Sequence, residues 1–178
     1  ENGVLGGVVS ALNVLCSRGD NVLVHSPTYS GFTSCLTNAG YSIVLSPLVQ
    51  DEQGIWRMDF EDMEKKIVAN HIHTALFCSP HNPCGRVWER WELERAMELY
   101  KKHDVMVVSD EIWSDIILGG HRHIPRRASA RTPAAAPLPY TPLQNVNLAG
   151  LVGSYHIFTT PFCGTAWRRK PPCPTTIP

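Results

Sequence analysis

The sequence contains no run of about 18 uncharged apolar residues, so nothing in it reads as a membrane span. Its six cysteines (Cys16, Cys35, Cys78, Cys84, Cys163 and Cys173) include no C-x-x-C pair and no regular spacing, which excludes a zinc ribbon or a disulfide framework. A reduced, cytoplasmic setting is the expectation. There is no excess of either charge, with 16 Lys+Arg against 16 Asp+Glu, and hence no bulk electrostatic case for nucleic acid or an anionic membrane as partner. An initiator Met and a basic-then-apolar leader are also missing, so the chain is expected to be a fragment that starts inside a longer reading frame. One absence is local: Pro125 to Pro178 hold no Asp or Glu at all, yet carry six of the 16 basic residues and ten of the 14 prolines.

What is present is a chain of 178 residues, 43% hydrophobic, large enough to bury a core. Apolar Val4 to Cys16 is helix-compatible and is followed by Gly19 in the usual stop position. Strands are expected at Asn21 to His25, Tyr41 to Leu45, Thr74 to Cys78 and Val105 to Val108, and helices at Ser30 to Asn38 and Phe60 to Ala69. The strongest helix signal is Glu89 to His103, where Trp91, Leu93, Ala96, Met97 and Tyr100 form an apolar stripe. Strand and helix alternate, and the strands are continuous apolar runs. That pattern predicts an α/β domain, a mainly parallel sheet flanked by helices.

In such sheets ligands sit beyond the carboxyl ends of the strands, which directs attention to the loops Ser26 to Gly31, Ser79 to Trp88 and Ser109 to Asp115. In the second loop, two prolines and a glycine fix an irregular path around Asn82, leaving its amide to address a ligand or simply to complete a turn. Asp110 follows the apolar run Val105 to Val108. A carboxylate there can cap a helix, pair with a buried cation, or hold a protonated ring nitrogen. Tyr29 can stack on a flat ring or belong to the core. Gly3 and Val4 open the first helix, where backbone N–H groups and the positive dipole end favour a phosphate. A metal site at His121 and His123 is the weaker alternative, because two histidines at i, i+2 without a placed carboxylate or Cys make a poor ligand set.

Taken in order, these motifs resemble one family: the Pro-Thr-Tyr29 loop, Ser-Pro-His-Asn82-Pro-Cys-Gly-Arg86-Val-Trp, Val-Ser-Asp110-Glu-Ile-Trp-Ser-Asp, Gly-Gly-His121-Arg-His123-Ile-Pro125 and Asn147-Leu-Ala-Gly-Leu-Val-Gly-Ser-Tyr155-His. They look like the pyridoxal-phosphate enzymes of aminotransferase fold type I, and within them the cystathionine β-lyase-like C–S lyases. The resemblance covers residues 1 to 124 and about 147 to 157. It implies an incomplete large domain of that fold, with pyridoxal 5'-phosphate as cofactor, an amino acid as small-molecule substrate, and a homodimer in the complete relatives. It further implies that Gly3 and Val4 bind the cofactor phosphate, Tyr29 stacks on the ring, Asn82 bonds its phenolic oxygen, and Asp110 pairs with the ring nitrogen. The implied activity is β-elimination of cystathionine or a cysteine conjugate to pyruvate, ammonia and a thiol. An aminotransferase of the same superfamily is the alternative.

The resemblance also implies a Schiff-base Lys just before Asn147-Leu-Ala-Gly-Leu. Gln144 stands at that position, and an amide forms no Schiff base. The departure extends over residues 126 to 146. If each codon takes the third base of one residue and the first two of the next from Pro125/Arg126 onward, the junctions permit TQSVSEDARSRTVALYAPSK, a family-like string ending on the missing Lys. The same operation from Ile157/Phe158 permits IYNPLLRDRVEEKASLSHYN. The expected organisation is therefore a partial cofactor-binding domain at 1–125, an out-of-frame linker at 126–146, a short in-frame piece at 147–157, and an out-of-frame, disordered tail at 158–178. As written, the chain is expected to be inactive, a pseudoenzyme or gene remnant that at most binds the cofactor.

Overall fold

The computed structural model describes residues 3–125, together with the backbone of 138–140 and 155–157. The chain runs α1 (Gly3–Leu15), β1 (Asn21–Ser26), α2 (Ser30–Asn38), β2 (Ser42–Gln50), β3 (Trp56–Met58), α3 (Phe60–Ala69), β4 (Thr74–Cys78), α4 (Arg90–Lys102) and β5 (Met106–Asp110), with a short ladder of β6 (Leu138–Tyr140) and β7 (Tyr155–Ile157). Five strands form one sheet in the order β3-β2-β1-β4-β5. The pairs β1–β2, β1–β4 and β4–β5 are parallel, and only β3 runs antiparallel, against β2. The expected mainly parallel sheet is thus observed.

Alternation of side chains along the strands builds two apolar layers. On one face Val22, Val24, Leu76 and Val108 pack against Val4, Val8 and Leu12 of α1 and Phe32 and Leu36 of α2. On the other, Leu23, Ala75, Phe77 and Val107 pack against Met63 and Ile67 of α3 and Leu93, Ala96 and Tyr100 of α4. Every residue of β4 is buried, which is why that segment is a continuous apolar run. Each such side chain contributes roughly 1.5–3 kcal/mol by leaving water.

Two local expectations change. The second strand extends from Ser42 to Gln50, well past Leu45, because the chain folds back and Leu48, Val49 and Gln50 pair with Met58, Arg57 and Trp56. Asp51 makes that reversal, its Oδ1 accepting from the amides of Gln53 at 3.0 Å and Ile55 at 2.9 Å. Trp91, placed on the apolar stripe of α4, is half exposed. Its indole N–H donates to Glu89 at 2.8 Å, and its ring lies under the Arg57 guanidinium, 5.6 Å from the centroid.

The start of α4 holds an unexpected buried charge. Glu92 is fully enclosed, accepts from the Glu89 amide at 3.0 Å, pairs with Arg86, and lies 3.3 Å from Arg57 Nη1. The network ties α4 to β3 and to the loop that carries Asn82. Removing this carboxylate takes from the largely buried Arg86 its nearest acid, leaving Glu89 at 3.8 Å, while Arg57 keeps Asp51 and Glu89. Glu92→Ala is expected to lower unfolding stability by roughly 3–5 kcal/mol in urea titration, with Glu92→Gln intermediate.

Candidate functional site

In a parallel sheet every strand delivers its last residues to the same edge. At that edge the end of β5 lies beside the end of β4, with Asp110 opposite Cys78 in register and the Ser79 amide donating to the Asp110 carbonyl at 2.9 Å. Asp110 is the last residue of the strand rather than the first beyond it, so the sheet itself fixes its backbone. Its side chain points to the same face as Val108, toward α1 and α2.

The Asp110 carboxylate is buried. Its Oδ1 accepts from the Ile112 amide at 3.0 Å, and among the described residues no Lys, Arg or His pairs with it. Burial pushes the carboxyl up to about 7; the Ile112 bond opposes the shift and the adjacent Glu111 charge adds to it. Two thiols on this side respond in the same direction. Burial raises Cys35 to about 12 and Cys78 further still, with the Asp110 charge contributing to both, so both remain protonated thiols.

Helix α1 ends just before β1 begins, so it runs antiparallel to the strands and its start returns to the carboxyl edge. Gly3 opens it with a φ of 74°, in the left-handed region that glycine adopts without strain, and Val4 is buried in the same layer as Val24, Cys78 and Val108. Tyr29 occupies the residue before α2, in extended conformation, and its ring meets Phe32 edge-on at 5.5 Å. That ring is 41% exposed and leans over Gly31, where any Cβ would collide with it and would meet Leu5 of α1 at 3.0 Å. Gly3, Val4, Tyr29 and Asp110 therefore gather on one face of the sheet at its carboxyl edge.

Asn82 arrives from the β4 side. The loop carrying it is closed by bonds between His81 and Arg86 (2.8 Å) and between Gly85 and His81 (2.8 Å), and pinned by the Trp88 indole N–H on the Cys78 carbonyl at 2.9 Å. The Asn82 backbone approaches the Cys78 thiol, which itself neighbours Asp110. Asn82 lines a cavity of about 430 Å³ together with Trp113, Ile116, Leu118 and His121, whereas Gly3, Val4, Tyr29 and Asp110 are not part of its lining. Gln144 lies outside the described residues.

The described helices that carry lysines turn them away from this edge. Lys65 and Lys66 on α3 pair with Glu61 and Asp62, and Lys102 on α4 with Glu64; these helices cover the face of the sheet away from Asp110. The two histidines considered as metal ligands part company, His121 lining the cavity and His123 binding Glu111 Oε2 at 2.8 Å. Sequence reasoning missed this Glu111 partner. Glu111 lies just past the end of β5, where strand alternation no longer fixes the direction of a side chain.

Fold and site together define an α/β domain whose sheet edge gathers a helix start, an aromatic ring, an amide and a buried carboxylate. The chain belongs to the aminotransferase class I and II family, whose model matches residues 2–139. The cystathionine beta-lyase PatB of Bacillus subtilis is 39% identical over 123 residues, which are 69% of this chain and 32% of that protein. Kynurenine–oxoglutarate transaminase 3 of Mus musculus is 28% identical over 129 residues, 68% of this chain and 28% of that protein. The solved PLP-bound C–S lyase of Staphylococcus hominis superposes with a TM-score of 0.88 at 30% identity, covering 94% of this chain and 43% of that one. The chain thus spans about a third of the length of the curated relatives it matches.

The raised Asp110 carboxyl fixes a sign. From about pH 4 to 7 the unfolded chain has ionised this group and the folded chain has not, so its contribution to stability falls as pH rises and then levels off. Asp110→Asn removes that loss. The variant is expected to gain stability over the parent by at most about 1.4 kcal/mol per pH unit across this window, in urea unfolding at pH 4 to 8, with no further gain above the window.

Proposed function

We propose that this chain is part of a pyridoxal-phosphate-dependent C–S β-lyase, and that the complete protein cleaves the carbon–sulfur bond of cystathionine or a cysteine conjugate. The observation that carries the reading is the buried Asp110 carboxylate, without a cation among the described residues, at the sheet edge where α1 begins. A protonated pyridine nitrogen is the kind of partner that restores charge balance there. The rest of the donor set fits the same molecule: a helix start for its phosphate, a half-exposed aromatic ring for its face, and an amide for its oxygen. The relatives named as lyases favour elimination over transamination.

When bound, the cofactor supplies a ring that withdraws electrons from the substrate Cα, so that a thiolate can leave from Cβ. The residues of this chain do the holding. Asp110 accepts the hydrogen of the ring nitrogen and keeps it protonated. Gly3 and Val4 donate backbone N–H to the phosphate, Asn82 donates to the phenolic oxygen, and Tyr29 covers the ring and keeps water from it. The proposed homodimer and cytoplasmic setting follow the same family reading.

For the polypeptide as written the reading is narrower. Gln144 stands where the family reading puts the Schiff-base Lys, and we assign residues 126–146 and 158–178 to out-of-frame translation. This chain then binds the cofactor without turning substrate over. Purified protein given pyridoxal phosphate and cystathionine is expected to release no pyruvate and to yield no borohydride-trapped adduct at residue 144. Pyruvate release contradicts the assignment of Gln144. The codons across 120 to 178 decide the frame: they spell the two shifted strings, or the assignment fails.

A further inference from the structure

Ser109 and Asp110 close β5, where the strand pleat sends their side chains to opposite faces, and Glu111, the first residue beyond the strand, reaches back to the Ser109 side. On that second face Glu111 is a bridge. Its Oε1 accepts from the Ser109 hydroxyl at 3.1 Å, and its Oε2 meets His123 Nε2 at 2.8 Å. All of this is enclosed: the Glu111 and His123 side chains are 6% and 9% exposed, and Ser109 is fully buried. Ile124, next to His123, packs into the apolar layer beneath α4. The Glu111 carbonyl meanwhile accepts from the Ser114 amide at 3.0 Å, which starts the turn that carries Trp113 to the cavity.

The Glu111 carboxylate thus ties the last residues of β5 to the segment 121–125, while its backbone carbonyl starts the turn at 111–114. Asp110 sits between two of these anchor points. Its own side chain is held by the amide of Ile112, the residue directly after Glu111. If Glu111 swings, the backbone on which both the Asp110 carboxylate and the Ile112 donor depend is released on the side away from the cofactor face.

We propose that Glu111 is a positioning residue for Asp110: by bridging Ser109 and His123 it fixes the direction in which β5 presents the Asp110 carboxylate. The inference rests on the cofactor reading for its consequence, since a carboxylate aimed at a ring nitrogen tolerates little rotation. Groups that orient a ligand residue from behind typically affect affinity by roughly 10–100-fold. The bridge itself is independent of any cofactor.

Two readouts on the full chain keep the bridge and the cofactor apart. The first is amide hydrogen exchange in cofactor-free protein. Glu111→Ala is expected to speed exchange at Ile112 by about tenfold while leaving Val107, inside the β4–β5 ladder, unchanged; Glu111→Gln, which retains an acceptor for Ser109, recovers most of the protection. The second is pyridoxal phosphate affinity by absorbance, expected to fall roughly tenfold in Glu111→Ala and to recover in Glu111→Gln. Unchanged protection at Ile112 in a folded Glu111→Ala variant overturns the proposal, and so does an equal loss at Ile112 and Val107, which would mark a merely structural role. If Glu111→Ala also prevents folding, His123→Gln and Ser109→Ala cut the bridge one bond at a time, and the same Ile112-against-Val107 comparison applies. Altered Ile112 exchange in a chain that binds no pyridoxal phosphate supports the bridge and sinks the cofactor reading instead.

Discussion

A carboxylate taken out of water needs a partner, and the arrangement at the sheet edge turns on the one that Asp110 does not have. The parallel ladder between β4 and β5 carries Asp110 into an apolar layer formed by α1, α2 and the sheet. There, among the described residues, the Ile112 amide is its one hydrogen-bond donor, and the carboxyl is driven up to about 7. A fold does not ordinarily keep a buried acid under such conditions for stability alone. Other buried charge in the same molecule is treated differently: Glu92 has two arginines and a backbone amide, and Glu111 has a serine and a histidine.

That contrast separates structural from functional polarity. Glu92 ties helix α4 to the loop after β4, and so holds the platform from which Asn82 extends. Glu111 ties the end of β5 to residues 121–125. Asp110, on the reverse side of the same strand end, is the group left to meet something from outside the chain. Around it stand the opening of α1, the Tyr29 ring braced against Gly31, and the Asn82 loop beside Cys78. Each follows from topology, because parallel strands and the helices between them bring these residues to one edge.

Much of this was legible before any coordinates. The continuous apolar runs at 74–78 and 105–108 announced buried parallel strands, and the residues after them were the natural place for a ligand. Helix α4 was marked by its stripe, although Trp91 belonged to the surface pairing with Arg57 rather than to the core. The antiparallel β3 escaped notice because Trp56 to Met58 is too short to show periodicity, and the turn that creates it depends on one Asp51 carboxylate accepting two amides. The Glu111–His123 bond escaped as well. It joins residues twelve apart across a Gly119-Gly120 turn, and nothing in local sequence fixes where such a turn returns the chain.

The role proposed for Asp110 is to hold a cationic ring nitrogen. Nitrogen-15 NMR of the chain mixed with pyridoxal phosphate labelled at the pyridine nitrogen addresses it most directly. The predicted result is a bound, protonated nitrogen at neutral pH in the parent and a neutral one in Asp110→Asn. A parent complex whose ring nitrogen is unprotonated, or whose protonation is indifferent to that substitution, would contradict it.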